Sequence, residues 1–151
     1  MQNRLIFQFL VFLLFTSAVA QQSASFVWKD TEGTGRQQKV LFRYNFELAD
    51  KPTESEFNIF ADSRYHLYVN GIHINFGPSR FYLANPQYDS YNLKRYLKKG
   101  RNTIAVEVLA NGMNTFQLPK SIGGFIAWGT ITDNKGKKIS VNTPGNGKCY
   151  L

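Results

Sequence analysis

The chain has 151 residues and a formal net charge of +8, with 18 lysine and arginine residues against 10 acidic ones. Its length fits one domain, and its single cysteine, Cys149, excludes an internal disulfide framework. Excess positive charge is common in nucleic-acid-binding proteins, but the export signal described next disfavours nucleic acid. An acidic polysaccharide or acidic surface suits the charge better, and scattered charges that only keep the domain soluble are the simpler explanation.

Residues 1–20 have the pattern of a cleaved signal peptide. A short polar start with Arg4 precedes the apolar run Leu5–Phe15, and "TSAVA" then supplies small residues where a signal peptidase cuts. The apolar run is too short to span a membrane well, although an uncleaved anchor is the alternative. We therefore expect a mature domain over residues 21–151, exported by a bacterium to the periplasm or beyond, with no stable membrane span.

The rest of the chain predicts strands. Apolar residues alternate in "KVLFRYNFEL", where Val40, Phe42, Tyr44, Phe46 and Leu48 share one face. Further strands are predicted at "SFVW", "SEFNIFAD", "TIAVEVLA", "FIAWGTITD" and "KKISV". Pro52 is assigned to a turn, and "NLKRYLKK" to one helical turn ended by Gly100. Seven or eight short strands with little helix predict an all-β sandwich.

The segment "RYHLYVNGIHINF" predicts a hairpin. Asn70 and Gly71 suit a two-residue type I′ turn, because both tolerate a positive φ. The register that follows gives three apolar pairs: Val69 with Ile72, Leu67 with Ile74, and Tyr65 with Phe76. The other face pairs Tyr68 with His73 and His66 with Asn75.

The polar face of the hairpin could be a site or only a solvated surface. His66 and His73 lie diagonally across the strand pair, but a zinc site needs a third ligand and usually a fourth. Catalysis by these histidines would also need a partner that the hairpin lacks. We therefore assign no metal, no cofactor and no catalytic residue to the chain.

About fifty consecutive residues, from Ala61 to Val108, resemble the accessory β-sandwich of bacterial α-L-rhamnosidases and related glycoside hydrolases. The matching motifs are Ala61-Asp62, Arg64-Tyr65, Val69-Asn70-Gly71, Gly77-Pro78, Arg80, Tyr88-Asp89, Tyr96-Leu97-Lys98 with Gly100 and Asn102, and Ile104–Val108. The resemblance implies the jelly-roll fold of galactose-binding-like domains. Galactosidase-type hydrolases share parts of the pattern, which leaves the parent substrate open.

The resemblance also implies a missing part. Family members continue into a large catalytic domain that hydrolyses glycosides with two carboxylic acids, and none of the acidic residues here matches that pair. Gly147 stands where a tryptophan is expected before Lys148. We therefore expect a fragment that is truncated at its C-terminal end, is not an enzyme by itself, and comes from a parent that is a glycosidase.

Two functions remain open for such a fragment. The first is a non-catalytic carbohydrate module, in which aromatic faces stack on sugar rings and polar groups bind hydroxyls. The second is a structural domain that packs on the missing catalytic domain, with an exposed apolar patch as its signature. For the first, the aromatic candidates are Tyr82, Tyr88, Tyr91 and Trp128, and the polar candidates are Asn70, His73, Arg80 and Asn85.

Overall fold

The structure, a computed structural model, describes residues 23–79, 81, 85–116, 119–145 and 147–150. The predicted signal peptide lies outside the described residues. The described strands are β1 (Gln38–Leu48), β2 (Pro52–Asp62), β3 (Arg64–Val69), β4 (Ile72–Gly77), β5 (Asp89–Tyr91), β6 (Gly100–Ala110), β7 (Gly124–Asp133), β8 (Lys138–Ser140) and β9 (Lys148–Tyr150). The prediction of an all-β fold is confirmed.

The strands form two antiparallel sheets. The five-stranded sheet has the order β4-β3-β6-β1-β9, and the four-stranded sheet has the order β5-β2-β7-β8. Between β1 and β9 the chain crosses repeatedly from one sheet to the other, as in a jelly roll. β9 pairs with β1, and truncation at the C-terminal end stays a prediction.

The core lies between the sheets and follows the predicted alternation. Val40, Phe42 and Leu48 of β1 are buried, and so are Tyr65, Leu67 and Val69 of β3. The inner residues of β2, β6 and β7 complete the core: Phe57, Ile59, Ala61, Ile104, Val106, Val108, Phe125, Ala127 and Ile131. Period-two burial against a facing sheet fixes which side of each strand points inward.

Three local predictions differ from the structure. "SFVW" is not a strand, since only Val27 makes an isolated bridge, to Phe125. Pro52 begins β2 instead of lying in the turn before it, as a proline can at the first position of a strand. The helical turn is a short 3₁₀ turn, Lys94–Tyr96, anchored by buried Leu93 and Leu97 on either side.

The hairpin turn is confirmed, but the register beyond it is wrong. Asn70 and Gly71 have φ of 52° and 83°, and the pairs Val69–Ile72 and Tyr68–His73 form as predicted. A bulge at Ile74 then shifts the partners, so that His66 faces Phe76 and Tyr65 faces Gly77.

The bulge has a steric reason. A Cβ at Gly77 would lie 2.4 Å from Asp89 Oδ2 and 2.6 Å from the Tyr65 hydroxyl. Only glycine fits opposite Tyr65 in this crowded place, whereas the unshifted register would put Phe76 there. With the bulge, Phe76 is instead 69% exposed.

The carboxyl of Asp62, at the end of β2, predicts how the stability of the fold depends on pH. Burial raises the pKa of its carboxyl, opposed by a hydrogen bond from Ser121. The folded state then holds the proton more tightly than the unfolded state, so stability falls as pH rises from the unfolded pKa through the folded one. We expect Asp62→Asn to lose less stability than the wild type as pH rises above about 4, the ordinary pKa of an aspartate, in urea melts.

Asp50 supplies a control of opposite sign. The pKa of its carboxyl is lowered, first by the backbone N–H of Lys51, so the ionised form favours the fold. Asp50→Asn should therefore gain less stability than the wild type as pH rises toward about 4, the ordinary pKa of an aspartate, and the two profiles should run parallel above that pH. Parallel pH profiles for wild type and Asp62→Asn would contradict the assignment.

Candidate functional site

The outer face of the four-stranded sheet carries a partly exposed aromatic pair. On β7 the buried residues Phe125, Ala127 and Ile131 lie on the inward side, and Trp128, directly after Ala127, points away from the core. Tyr88, directly before β5, is 56% exposed. The two ring centroids are 4.8 Å apart at an interplanar angle of 64°. The pair therefore presents a partly exposed aromatic surface of the kind that can contact a sugar ring.

Polar side chains lie beside this aromatic pair. Asn58 of β2 is the cross-strand partner of Trp128 on one side and of Ser90 on the other. Ser90 Oγ donates to Asn58 Oδ1 at 2.6 Å, and Asn58 Nδ2 donates to Glu56 Oε1 at 3.0 Å. The chain of hydrogen bonds runs from buried Asn58 to exposed Glu56. We call Tyr88, Trp128, Glu56, Asn58 and Ser90 the outer-face cluster.

The outer-face cluster contains two of the eight candidates. Tyr88 and Trp128 were predicted. Glu56 and Asn58 were missed because alternation alone places them on the solvated side of a strand, and Ser90 was missed because no strand was predicted around it. Asn85 is exposed in the loop that leads to Tyr88. Arg80 and Tyr82 lie outside the described residues.

The other candidates lie elsewhere or are already hydrogen-bonded. His73 is on the outer face of the five-stranded sheet, opposite the cluster, where its Nε2 lies 3.2 Å from His66 Nδ1. Asn70 Nδ2 donates to Tyr96 O at 2.8 Å and to Asn102 Oδ1 at 2.9 Å. The Asn70 carboxamide oxygen accepts the Thr103 N–H at 2.9 Å. The Asn70 amide therefore fixes the turn and has no proton left for a sugar.

Tyr91 belongs to a buried network that sequence reasoning missed. Tyr65 donates to Asp89 Oδ2 at 2.5 Å and shares a 2.8 Å hydrogen bond with the Tyr91 hydroxyl. Burial, reinforced by Asp89 and Tyr91, raises the pKa of the Tyr65 phenol well above its ordinary value. Burial also raises the pKa of Tyr91. Both phenols therefore stay neutral at physiological pH and can donate.

The same network positions the loop that carries Tyr88. Asp89 Oδ1 accepts the Ser79 hydroxyl at 2.9 Å, so one carboxylate joins the two ends of the 79–89 loop. Tyr65 is on β3 and Asp89 is on β5, so their hydrogen bond also links the two sheets. Tyr65 and Asp89 are 24 positions apart, and no local sequence signal could have predicted that they pair.

Two other features, a metal site and a membrane-spanning helix, are not found among the described residues. No group of three or more histidine, cysteine, aspartate or glutamate residues is placed to hold a metal ion in this part of the chain. No helix in the same residues is long and apolar enough to cross a membrane.

The chain is similar to several solved structures of known proteins. No protein-family model matches the chain, and no curated protein sequence matches it. Among solved structures, a GH78 family rhamnosidase of Bacillus sp. GL1 is 35% identical, with a TM-score of 0.71 over 84% of this chain and 13% of that one. An α-L-rhamnosidase from Aspergillus terreus has a TM-score of 0.68 at 17% identity, over 87% of this chain and 17% of that one.

A lectin also has this fold. The lectin from Pleurotus ostreatus in complex with GalNAc is 25% identical, with a TM-score of 0.66 over 84% of this chain and 34% of that one. The chain thus spans only a small part of each rhamnosidase that it matches. The resemblance predicted from the run between Ala61 and Val108 is confirmed: the chain is similar to a β-sandwich portion of α-L-rhamnosidases, 12–17% of their length.

Proposed function

We propose that this chain is a non-catalytic carbohydrate module and that the outer-face cluster binds the sugar. The observation that carries the proposal is the partly exposed pair of Tyr88 and Trp128 beside the hydrogen-bonded polar side chains of Glu56 and Asn58. Aromatic rings bury a sugar's C–H face at low entropic cost. The polar groups add direction, because a carboxylate accepts hydroxyl protons.

Similarity to two carbohydrate-active proteins supports this proposal. The rhamnosidase of Bacillus sp. GL1 and the GalNAc-bound lectin share the fold at 35% and 25% identity. We further propose that the domain comes from the N-terminal part of an exported α-L-rhamnosidase-like enzyme, or of a galactosidase-type hydrolase, that breaks down polysaccharide. By itself the chain should not hydrolyse aryl rhamnosides or galactosides above a vector-only control.

Sugar titrations followed by NMR test the site. L-Rhamnose, D-galactose and N-acetylgalactosamine are the probes, and the Nε1–H signals of the two tryptophans are the reporters. We expect a bound sugar to shift the Trp128 signal and leave the Trp28 signal unchanged. Trp128→Ala and Tyr88→Ala should each weaken binding about tenfold, which corresponds to about 1.4 kcal/mol.

Tyr68 provides the matched control. It is a partly exposed aromatic residue on the opposite sheet face, in edge contact with His73. Tyr68→Ala should leave sugar binding unchanged. Binding that survives both cluster variants, or that falls equally with Tyr68→Ala, would place the sugar elsewhere.

The alternative function, a structural domain that packs on another domain, also has an observation in its favour. Phe26, 60% exposed, stacks edge-on against Phe60 at 6.1 Å, and Phe60 contacts Phe81 at 5.4 Å. This apolar strip lies on the same sheet face as the cluster and would suit packing on another domain. Under that alternative, none of the three sugars shifts the Trp128 signal, and Phe26→Ser lowers the binding of a hydrophobic dye.

A further inference from the structure

A cavity of about 200 Å³ lies between the two sheets, next to the edge formed by β1 and β9. Its walls include Trp28, Phe42, Phe57, Phe125, Ala127 and Val141. Phe42 and Phe125 stack at 4.6 Å, and Trp28 lies 6.1 Å from Phe42. The walls are therefore flat and aromatic, and the outer-face cluster lies on the far side of the four-stranded sheet.

Two polar side chains that line the inner part of the cavity are held by hydrogen bonds within the protein. Thr143 Oγ1 donates to Ser25 O at 2.7 Å and accepts the Ala127 N–H at 3.2 Å. Asn142 Oδ1 accepts the Gly129 N–H at 3.3 Å. A ligand inside would therefore find little to hydrogen-bond with, which favours an apolar, uncharged molecule.

The charged residues near the cavity are on the other side of their strands. Arg43 and Lys148 are cross-strand partners, while Phe42 is paired with Cys149. Since Phe42 faces the core and opposite residues share a face, Cys149 lies toward the cavity. Arg43 and Lys148 line its mouth, but their side chains extend from the opposite side of their strands. Burial raises the pKa of the Cys149 thiol, as expected for a thiol at an apolar mouth.

We propose that this cavity binds a small, neutral, planar aromatic molecule, from benzene to indole in size. The volume exceeds the roughly 150 Å³ of an engineered apolar cavity that stays dry and binds benzene. The site is independent of the sugar site, so each proposal can fail without the other.

The experiment uses the full chain and indole as the probe. Indole at about ten times its Kd should raise the melting temperature by about 4 °C. It should also slow modification of Cys149 by a thiol reagent, since the thiol is exposed at the mouth that the ligand would cover. In NMR it should shift the Trp28 indole signal and not that of Trp128, the reverse of the result expected for sugar.

Two comparisons make the test decisive. Indole-3-carboxylate, a charged analogue, should bind at least about tenfold more weakly than indole, because the aromatic interior of the cavity would desolvate its charge. Ala127→Ile narrows the cavity and should abolish both effects of indole. Ala105→Ile, on the outward side of β6, should leave them intact.

The proposal fails on clear outcomes. It is overturned if indole neither raises the melting temperature nor protects Cys149, or if indole-3-carboxylate binds equally well. It is also overturned if a folded Ala127→Ile protein retains the full effect. Should Ala127→Ile not fold, the comparison of the two ligands on the wild type decides alone.

Discussion

Leu67→Ala is expected to lower the free energy of unfolding by about 2–5 kcal/mol. Leu67 is fully buried on β3, between β4 and β6 in the sheet. Removing its side chain loses the transfer free energy of three carbons and leaves a cavity that the two sheets cannot fully close. Urea unfolding with an unchanged m-value would measure the loss directly.

His66→Ala is the matched control, one residue away on the same strand. His66 is exposed, and it contacts His73 and Phe76 on the outer face. Its removal should cost well under the loss for Leu67, about 0.5 kcal/mol. Equal losses for the two variants would mean that the inward and outward sides of β3 are assigned wrongly.

Asn102→Ala should destabilise the protein by about 2–4 kcal/mol, although it removes only a small polar group. Asn102 is 1% exposed. Its oxygen accepts from Lys98 N–H and Asn70 Nδ2, both at 2.9 Å, and its nitrogen donates to Lys98 O at 2.6 Å and Gly100 O at 2.9 Å. Alanine would leave these partners buried without replacements.

Thermal and urea melts of Asn102→Ala and Asn134→Ala would check this expectation. Asn134 is exposed in the turn after β7, so its replacement should cost less than about 1 kcal/mol. A loss for Asn102→Ala as small as that for Asn134→Ala would show that water replaces the amide without penalty.

The long strands could be predicted because their signals are local. Alternation identifies most of β1 and β2, β-branched residues indicate β6, and Asn70-Gly71 identifies the turn from its backbone requirements. Strands of three residues, such as β5, form only because a partner strand is present, and nothing in "DSY" itself indicates one. The bulge at Ile74 depends on the space around Gly77, which is set by Asp89, twelve residues further on.

The candidate site was predicted only in part for the same reason. Residue type was enough to select Tyr88 and Trp128, but their contact spans 40 positions and depends on sheet order. The same residue-type reasoning also selected Asn70 and Tyr91, whose polar groups turn out to be held by hydrogen bonds within the protein. Chemistry-bearing residues can be selected from sequence, but only the fold tells whether their polar atoms are free.

The cavity beside β1 and β9 also determines how the protein should respond to hydrostatic pressure. Unfolding abolishes internal voids, so the unfolded chain with its water occupies less volume than the folded protein, by an amount that scales with the void. The cavity of about 200 Å³ is open at its mouth, and the part of its apolar interior that holds no water adds to the volume that unfolding eliminates. Compression should therefore unfold this sandwich sooner than a tightly packed domain of equal stability, and an occupant of the cavity would protect it.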